Sequence, residues 1–208
     1  FENTGTLNAS NSVTNAGAFT NDTAGTLTTT NAVTNSGTFA NGGDFNATDV
    51  ENTATSTFDN TGTLTASNSV TNAGTFANDE DFSAPTVTNT GNFTNSGDFN
   101  AADVENTTTS AFNNTGTLNA SNSVANAGAF KNDTAGNLTA SNTVTNSGTF
   151  TNDESFSAPT VTNSGTFTNN KTFSATDVEN TLTFENTGTL NASNSVTNAG
   201  AFTNDTAG

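Results

Sequence analysis

Apolar side chains recur along this chain in a three-beat order, Leu or Phe, then Val, then Phe, at steps of mostly six residues. The first beat falls on Leu7, Leu27, Phe45, Leu64, Phe82, Phe99, Leu118, Leu138, Phe156, Phe173 and Leu190. The second falls on Val13, Val33, Val50, Val70, Val87, Val104, Val124, Val144, Val161, Val178 and Val196. The third falls on Phe19, Phe39, Phe58, Phe76, Phe93, Phe112, Phe130, Phe150, Phe167, Phe184 and Phe202, with Phe1 one step ahead of them. Only Leu182 among the Leu, Val and Phe residues lies off this pattern. Each beat sits in a short alternating stretch such as T-L-N-A or S-V-T-N, where a period of two and Thr, Val and Phe favour a strand. Three short strands per turn, repeated over about 11 turns of 17 to 20 residues, predict an all-β solenoid: a three-sided parallel β-helix in which each turn packs on its neighbours.

If a beat points inward, the residue two along does too, and the sequence there is nearly constant. After each Val it is Asn: Asn15, Asn35, Asn52, Asn72, Asn89, Asn106, Asn126, Asn146, Asn163, Asn180 and Asn198. After each third-beat Phe it is again Asn, from Asn3 through Asn95 to Asn204, and after the first beat it is Ala, with Thr29 the exception. An inward amide carries two donors and an acceptor that need partners. Stacking turns about 4.8 Å apart lets each amide bond the one above and below. A slipped turn would leave amides unpaired at about 1–3 kcal/mol each, so the ladders are expected to fix register. Gly often follows at the corner, as in Asn15-Ala16-Gly17, and is expected to supply a positive φ there. A first-beat Phe always goes with a five-residue step to Val and a first-beat Leu with six, and Pro85 and Pro159 fall within five-residue steps. The bulkier ring is thus matched to a tighter corner.

Composition alone argues differently. Leu, Val and Phe are about 17% of the chain and the net charge is -17, a combination typical of disorder; the strict periodicity overrides it. Without Cys or His there is no disulfide framework, thiolate metal site or imidazole base. Lys131 and Lys171 are the only basic side chains, so no footprint for nucleic acid exists. No apolar run is long enough for a membrane-spanning helix.

Repetition also occurs at a longer scale. Residues 184–208 repeat residues 1–25 letter for letter, and F-x-N-T-G-T-L restarts at Phe1, Phe58, Phe112 and Phe184. This divides one solenoid domain, 1–208, into modules 1–57, 58–111, 112–183 and a partial 184–208, with a D-V-E-N turn closing each complete one. The expectation is a segment of a longer repetitive chain that contacts itself by axial head-to-tail stacking.

The phrase N-x-G-x-L-x-A, at Asn3–Ala9 and again at Asn114–Ala120, resembles the repeats of filamentous-haemagglutinin-like secreted adhesins. That resemblance implies a long right-handed parallel β-helix displayed at the bacterial surface, hence an extracellular structural fibre or stalk serving filament, matrix or adhesion. A left-handed hexapeptide helix is the rival fold, since six-residue steps suit it. Acidic stretches such as Asn78-Asp79-Glu80-Asp81 and the D-V-E-N turns offer oxygen ligands to Ca²⁺, but Asp49 and Glu51 flank an inward Val, and the reading favours a solvated acidic surface. Outward Thr pairs such as Thr86/Thr88 and Thr160/Thr162 point to a glycan- or ice-binding face as the alternative function, although Asp and Glu break the array in the third, sixth and tenth turns. Catalysis needs a cleft with a base or carboxylate pair on loops, and no corner carries an insertion longer than two residues; no enzymatic role is expected.

Overall fold

The computed structural model describes residues 1–205. It is a β-solenoid of about eleven stacked turns, without a helix among the described residues. The last three positions of the repeat at 184–208, Thr206, Ala207 and Gly208, lie outside the described residues.

Two parallel sheets carry the three beats. A twelve-stranded sheet holds the third-beat Phe and its Asn, in strands such as Thr75–Asn78 and Asn92–Asn95. A fourteen-stranded sheet holds both other beats. Where the step between these beats is five residues, they share one nine-residue strand, as in Asp44–Asn52, Asp81–Asn89 and Asp98–Asn106. Six-residue steps give either a ten-residue strand, such as Thr63–Asn72, or two separate strands, as at Asn137–Ala140 and Thr143–Asn146. Two sides of the coil are therefore continuous in one sheet. The inward residue at their shared corner is the small Ala, buried from Ala47 to Ala175, which lets hydrogen bonding run through the bend.

Register follows the beats. Val13 pairs with Val33, Val33 with Val50 and Val50 with Val70. When a nine-residue strand lies on another the register does not shift, as between Asp81–Asn89 and Asp98–Asn106, where only Pro85 and Ala102 at the corner are left unpaired. When it lies against a ten-residue strand the register shifts at the corner, as between Ala101 and Asp103. The extra residue forms a bulge rather than a slip, because slipping would turn the inward set outward.

The core is the inward columns alone. Third-beat rings from Phe19 to Phe202 stack with centroids 4.6 to 5.1 Å apart and interplanar angles of 12° or less. First-beat rings make shorter stacks, Phe82 on Phe99 at 4.4 Å and Phe156 on Phe173 at 4.7 Å. Phe82 meets the third-beat column edge to face, at 89° to Phe76 and 86° to Phe93. Each buried ring is worth about 1.5–3 kcal/mol from area and a further increment from its stack. The off-pattern Leu182 sits on an outer corner and is 53% exposed.

The corners correct one expectation. Among the described residues no glycine has a positive φ; Thr55, Thr109 and Ala135 do, at 71°, 75° and 72°. Each is the third residue of a four-residue turn inserted after a ladder Asn, closed by Ser56 N–H to Thr53 O at 3.2 Å, Ser110 N–H to Thr107 O at 3.2 Å and Gly136 N–H to Asp133 O at 2.7 Å, the place where a type II turn demands φ > 0. Glycine is used for close approach instead: a Cβ at Gly165 would lie 2.1 Å from the Gly148 carbonyl oxygen one turn earlier. Leu182 occupies the corresponding corner one turn after Gly165.

A β-branched residue at positive φ is strained by about 1–3 kcal/mol. Thr109→Gly is therefore expected to raise stability in chemical denaturation, less the backbone entropy that glycine adds to the unfolded chain. A drop in the unfolding midpoint would show that the turn holds no such strain.

Candidate functional site

No group of three or more Asp, Glu, His or Cys side chains among the described residues is placed to share a metal ion. What the chain builds with chemical care is a pair of amide ladders.

The Asn after each Val donates from Nδ2 to Oδ1 of its counterpart in the next turn, in unbroken sequence from Asn15 to Asn198, at 2.7 to 2.8 Å. The second column does the same from Asn3 to Asn204, at 2.6 to 2.8 Å. Every one of these bonds points the same way along the axis. Backbone carbonyls fix that sense. Nδ2 of Asn35 also reaches Gly37 O at 3.2 Å and Thr57 O at 2.8 Å, and these oxygens only accept, so a flipped amide would face them with its own oxygen. Ladder residues from Asn21 to Asn186 are almost completely buried, where an unmade amide bond costs most. Val33 to Val178 and Phe39 to Phe184 are likewise buried, whereas Asn198 and Val196 are exposed in the last turn.

Two buried hydroxyls join the ladders without having been read from the sequence. Ser56 Oγ donates to Asn52 Oδ1 and Ser110 Oγ to Asn106 Oδ1, both at 2.7 Å. Their signal was the T-x-T-S insertion that follows these two Asn residues.

The D-V-E-N turns are also more specific than a solvated acidic face. Glu51, Glu105 and Glu179 are exposed, but Asp49, Asp103 and Asp177 are half-buried. Each Asp accepts from an Asn and a Ser of the following turn: Asn68 at 2.7 Å and Ser69 at 2.5 Å for Asp49, Asn122 at 2.7 Å and Ser123 for Asp103, Asn194 at 2.7 Å and Ser195 at 2.5 Å for Asp177. Asn68, Asn122 and Asn194 lie in the longer corner of a ten-residue strand stacked on a nine-residue one, so an Asp clasps each of these three register shifts; the shift of Thr63–Asn72 against Asp81–Asn89 has Thr86 in that place. Ser195, then Asn194, hold the Asp177 carboxyl below its usual range.

Elsewhere the acidic surface works against itself. Asp81 and Asp98 are in register on adjacent turns, and burial, then the charge of Asp79, push the Asp59 carboxyl up. Lys131 relieves one such point by pairing with Asp133 at 2.9 Å and Asp153 at 3.2 Å, which lowers the Asp133 carboxyl. Comparison with protein-family models, with curated proteins and with solved structures returns no match.

Asn89→Asp removes the donors that serve Asn106 Oδ1, Gly91 O and Ala111 O and buries a carboxylate. A loss of about 2–5 kcal/mol is expected, shrinking as pH falls and the buried acid protonates. Thr145→Asp is the clean outer control, because its register partners are Ala125 and Thr162, whereas Thr88 lies beside Glu105. Equal melting shifts for Asn89→Asp and Thr145→Asp would refute the ladder's weight. For Asp177→Asn the sign runs through the depressed carboxyl: its stabilisation is present above the ordinary value of 3.8 and is lost as pH falls through the folded-state value. The stability gap between native and variant protein is expected at pH 7 and should close in strong acid; a gap unchanged by acid would exclude the clasp as its cause.

Proposed function

We propose that this chain is a structural module, a rigid stretch of an extracellular fibre or stalk displayed at a cell surface in the manner of the filamentous-haemagglutinin-like adhesins its N-x-G-x-L-x-A phrases resemble. The observation that carries the reading is the unbroken, one-way pair of Asn ladders. Such a device gives nothing to catalysis, but it makes every turn complementary to the next: each presents amide oxygen toward one end of the axis and amide N–H toward the other. Turns from separate modules are interchangeable for the same reason, so the stack extends along its axis, within one long chain or head-to-tail between copies, without a new kind of contact. Heterologous contacts of this sort propagate rather than close.

The outer surface suits the same role. With a net charge of -17, rods repel one another sideways at low salt, and hydrogen-bonded strands with short corners leave proteases few openings. The experiment is electron microscopy of the purified protein, paired with broad-specificity protease digestion and antibody labelling of intact producing cells. Thin rods of constant width that resist digestion, bundle sideways near the pI of about 4.1 and label at the cell exterior are expected. Globular particles cleaved rapidly at internal corners, or an epitope reached only after lysis, would reject the reading.

A further inference from the structure

The corner between the first and second beats carries no charge, a property it shares with the corner between the second-beat Asn and the third-beat Phe. In all eleven turns, no charged residue lies between the first-beat side chain and the residue that precedes Val, although the chain carries nineteen carboxylates elsewhere. An uncharged strip of Asn, Ser, Thr, Ala and Pro therefore runs the length of the solenoid.

Two concavities lie on this strip. One, of about 430 Å³, is bordered by Ser83, Pro85, Asn100, Asn119, Thr139 and Ser141. The other, of about 420 Å³, is bordered by Ser157, Pro159, Ser174, Thr176, Asn191 and Ser193. Their cause is legible in the step lengths. Phe82 and Phe99 open two consecutive turns with five-residue steps, and so do Phe156 and Phe173. These turns have one corner residue fewer than the flanking turns, and each concavity includes such a pair; the first also runs over the turns of Leu118 and Leu138, the second over the turn of Leu190.

The hydroxyls here are also free. Elsewhere several Ser and Thr hydroxyls are spent on the backbone of the preceding turn, as in Thr90 Oγ1 to Asn72 O at 3.2 Å and, on this same strip, Thr48 Oγ1 to Thr30 O at 2.9 Å. Ser83, Thr139 and Ser141 in one saddle, and Ser157, Ser174 and Ser193 in the other, make no side-chain hydrogen bond among the described residues. Asn119 Nδ2 donates to Asn100 Oδ1 at 3.1 Å, which leaves the Asn119 oxygen and the Asn100 N–H groups directed to solvent. The nearest carboxylates, Asp103 and Asp177, are held by their Asn and Ser partners.

We infer that the two saddles are subsites for a neutral, linear oligosaccharide lying along the solenoid axis. Uncommitted hydroxyls and amides both donate and accept, as sugar hydroxyls require. Pro85 and Pro159 each supply an apolar surface for the C–H face of a sugar ring. The volumes fall within the range of small-molecule sites. No cation borders either saddle, and the surrounding charge repels anionic polymers, which selects a neutral chain. The saddles adjoin on one strip, meeting where Thr139 and Ser141 border one and Ala140 the other, so a longer oligomer gains by engaging both. This inference is independent of the fibre reading, since it concerns one face of a single solenoid.

The test is titration of the full chain, by NMR or calorimetry, with neutral linear hexose oligomers (glucose hexamers linked β-1,4, β-1,3 or α-1,4, and mannose hexamers) and with a galacturonic acid hexamer. At least one neutral hexamer is expected to bind in the millimolar range or tighter, at least tenfold better than its dimer and than the acidic hexamer, with little change between low and high salt. Ser83→Asp and Ser174→Asp should each weaken binding, and together abolish it, while Thr145→Asp leaves it unchanged and all variants keep the native melting profile. Should a saddle variant lose its fold, Ser83→Ala with Ser174→Ala replaces it, with at least a threefold loss expected. Binding by none of the neutral hexamers, binding of the acidic hexamer alone, or binding that survives the folded double variant would each overturn the proposal.

Discussion

Two columns of amides that hand one hydrogen bond from turn to turn set the terms for everything else in this molecule. An isolated inward Asn would be a liability, but here Nδ2 meets the next Oδ1 and one or two backbone carbonyls, as Asn52 does with Asn72 and Thr75 and Asn41 with Asn60, Gly43 and Thr63. Because the bonds share one direction, each polarises the next, a cooperative gain that a mixed ladder would forfeit. Specificity comes with it. Aliphatic and aromatic columns tolerate small displacements, whereas an amide column has a single register in which no donor is orphaned. Ladders therefore choose the structure, and Phe and Val supply most of the drive to form it.

A thin core is sufficient under that constraint. Leu, Val and Phe are scarce, yet the columns from turn to turn are almost wholly buried, because the turns cover each other and only the ends and outer faces meet water. Surface residues are then released from packing, and the chain uses that freedom unevenly. Asp49, Asp103 and Asp177 brace three of the places where turn length changes, whereas Asp81 and Asp98 stand in register with like charge and Asp59 is held partly buried beside Asp79. Solubility and lateral repulsion follow from the same charges that cost some stability.

The beats and both Asn columns were legible in the sequence because a period of two and a conserved spacing determine which side chains face inward, regardless of the path of the corners. Corners were less legible. Gly after Asn suggested positive φ, but the structure places that conformation at Thr55, Thr109 and Ala135, because a two-residue insertion creates a new turn whose geometry depends on the turn below it. Ser56 and Ser110 were missed for a related reason: an outward-looking hydroxyl becomes a ladder partner only once the insertion folds it back. Asp49 read as solvated from its place beside Val50, and its clasp with Asn68 and Ser69 appears only when two turns of unequal length are laid together.

Unequal turn length is what separates this solenoid from a uniform rod. A step of five places a Phe at the first beat and draws the corner in; a step of six uses Leu and pushes Asn68, Asn122 or Asn194 outward to meet an Asp. Inside, the exchange conserves volume, since the larger ring fills the space of the tighter turn. Outside, nothing compensates, and the two recesses of the surface take in the turns of Phe82 and Phe99 and of Phe156 and Phe173 together with their six-step neighbours. A packing requirement of the core is thereby printed on the exterior as relief, at a corner free of charge, and the proposed recognition face rests on that coincidence of shape and neutrality.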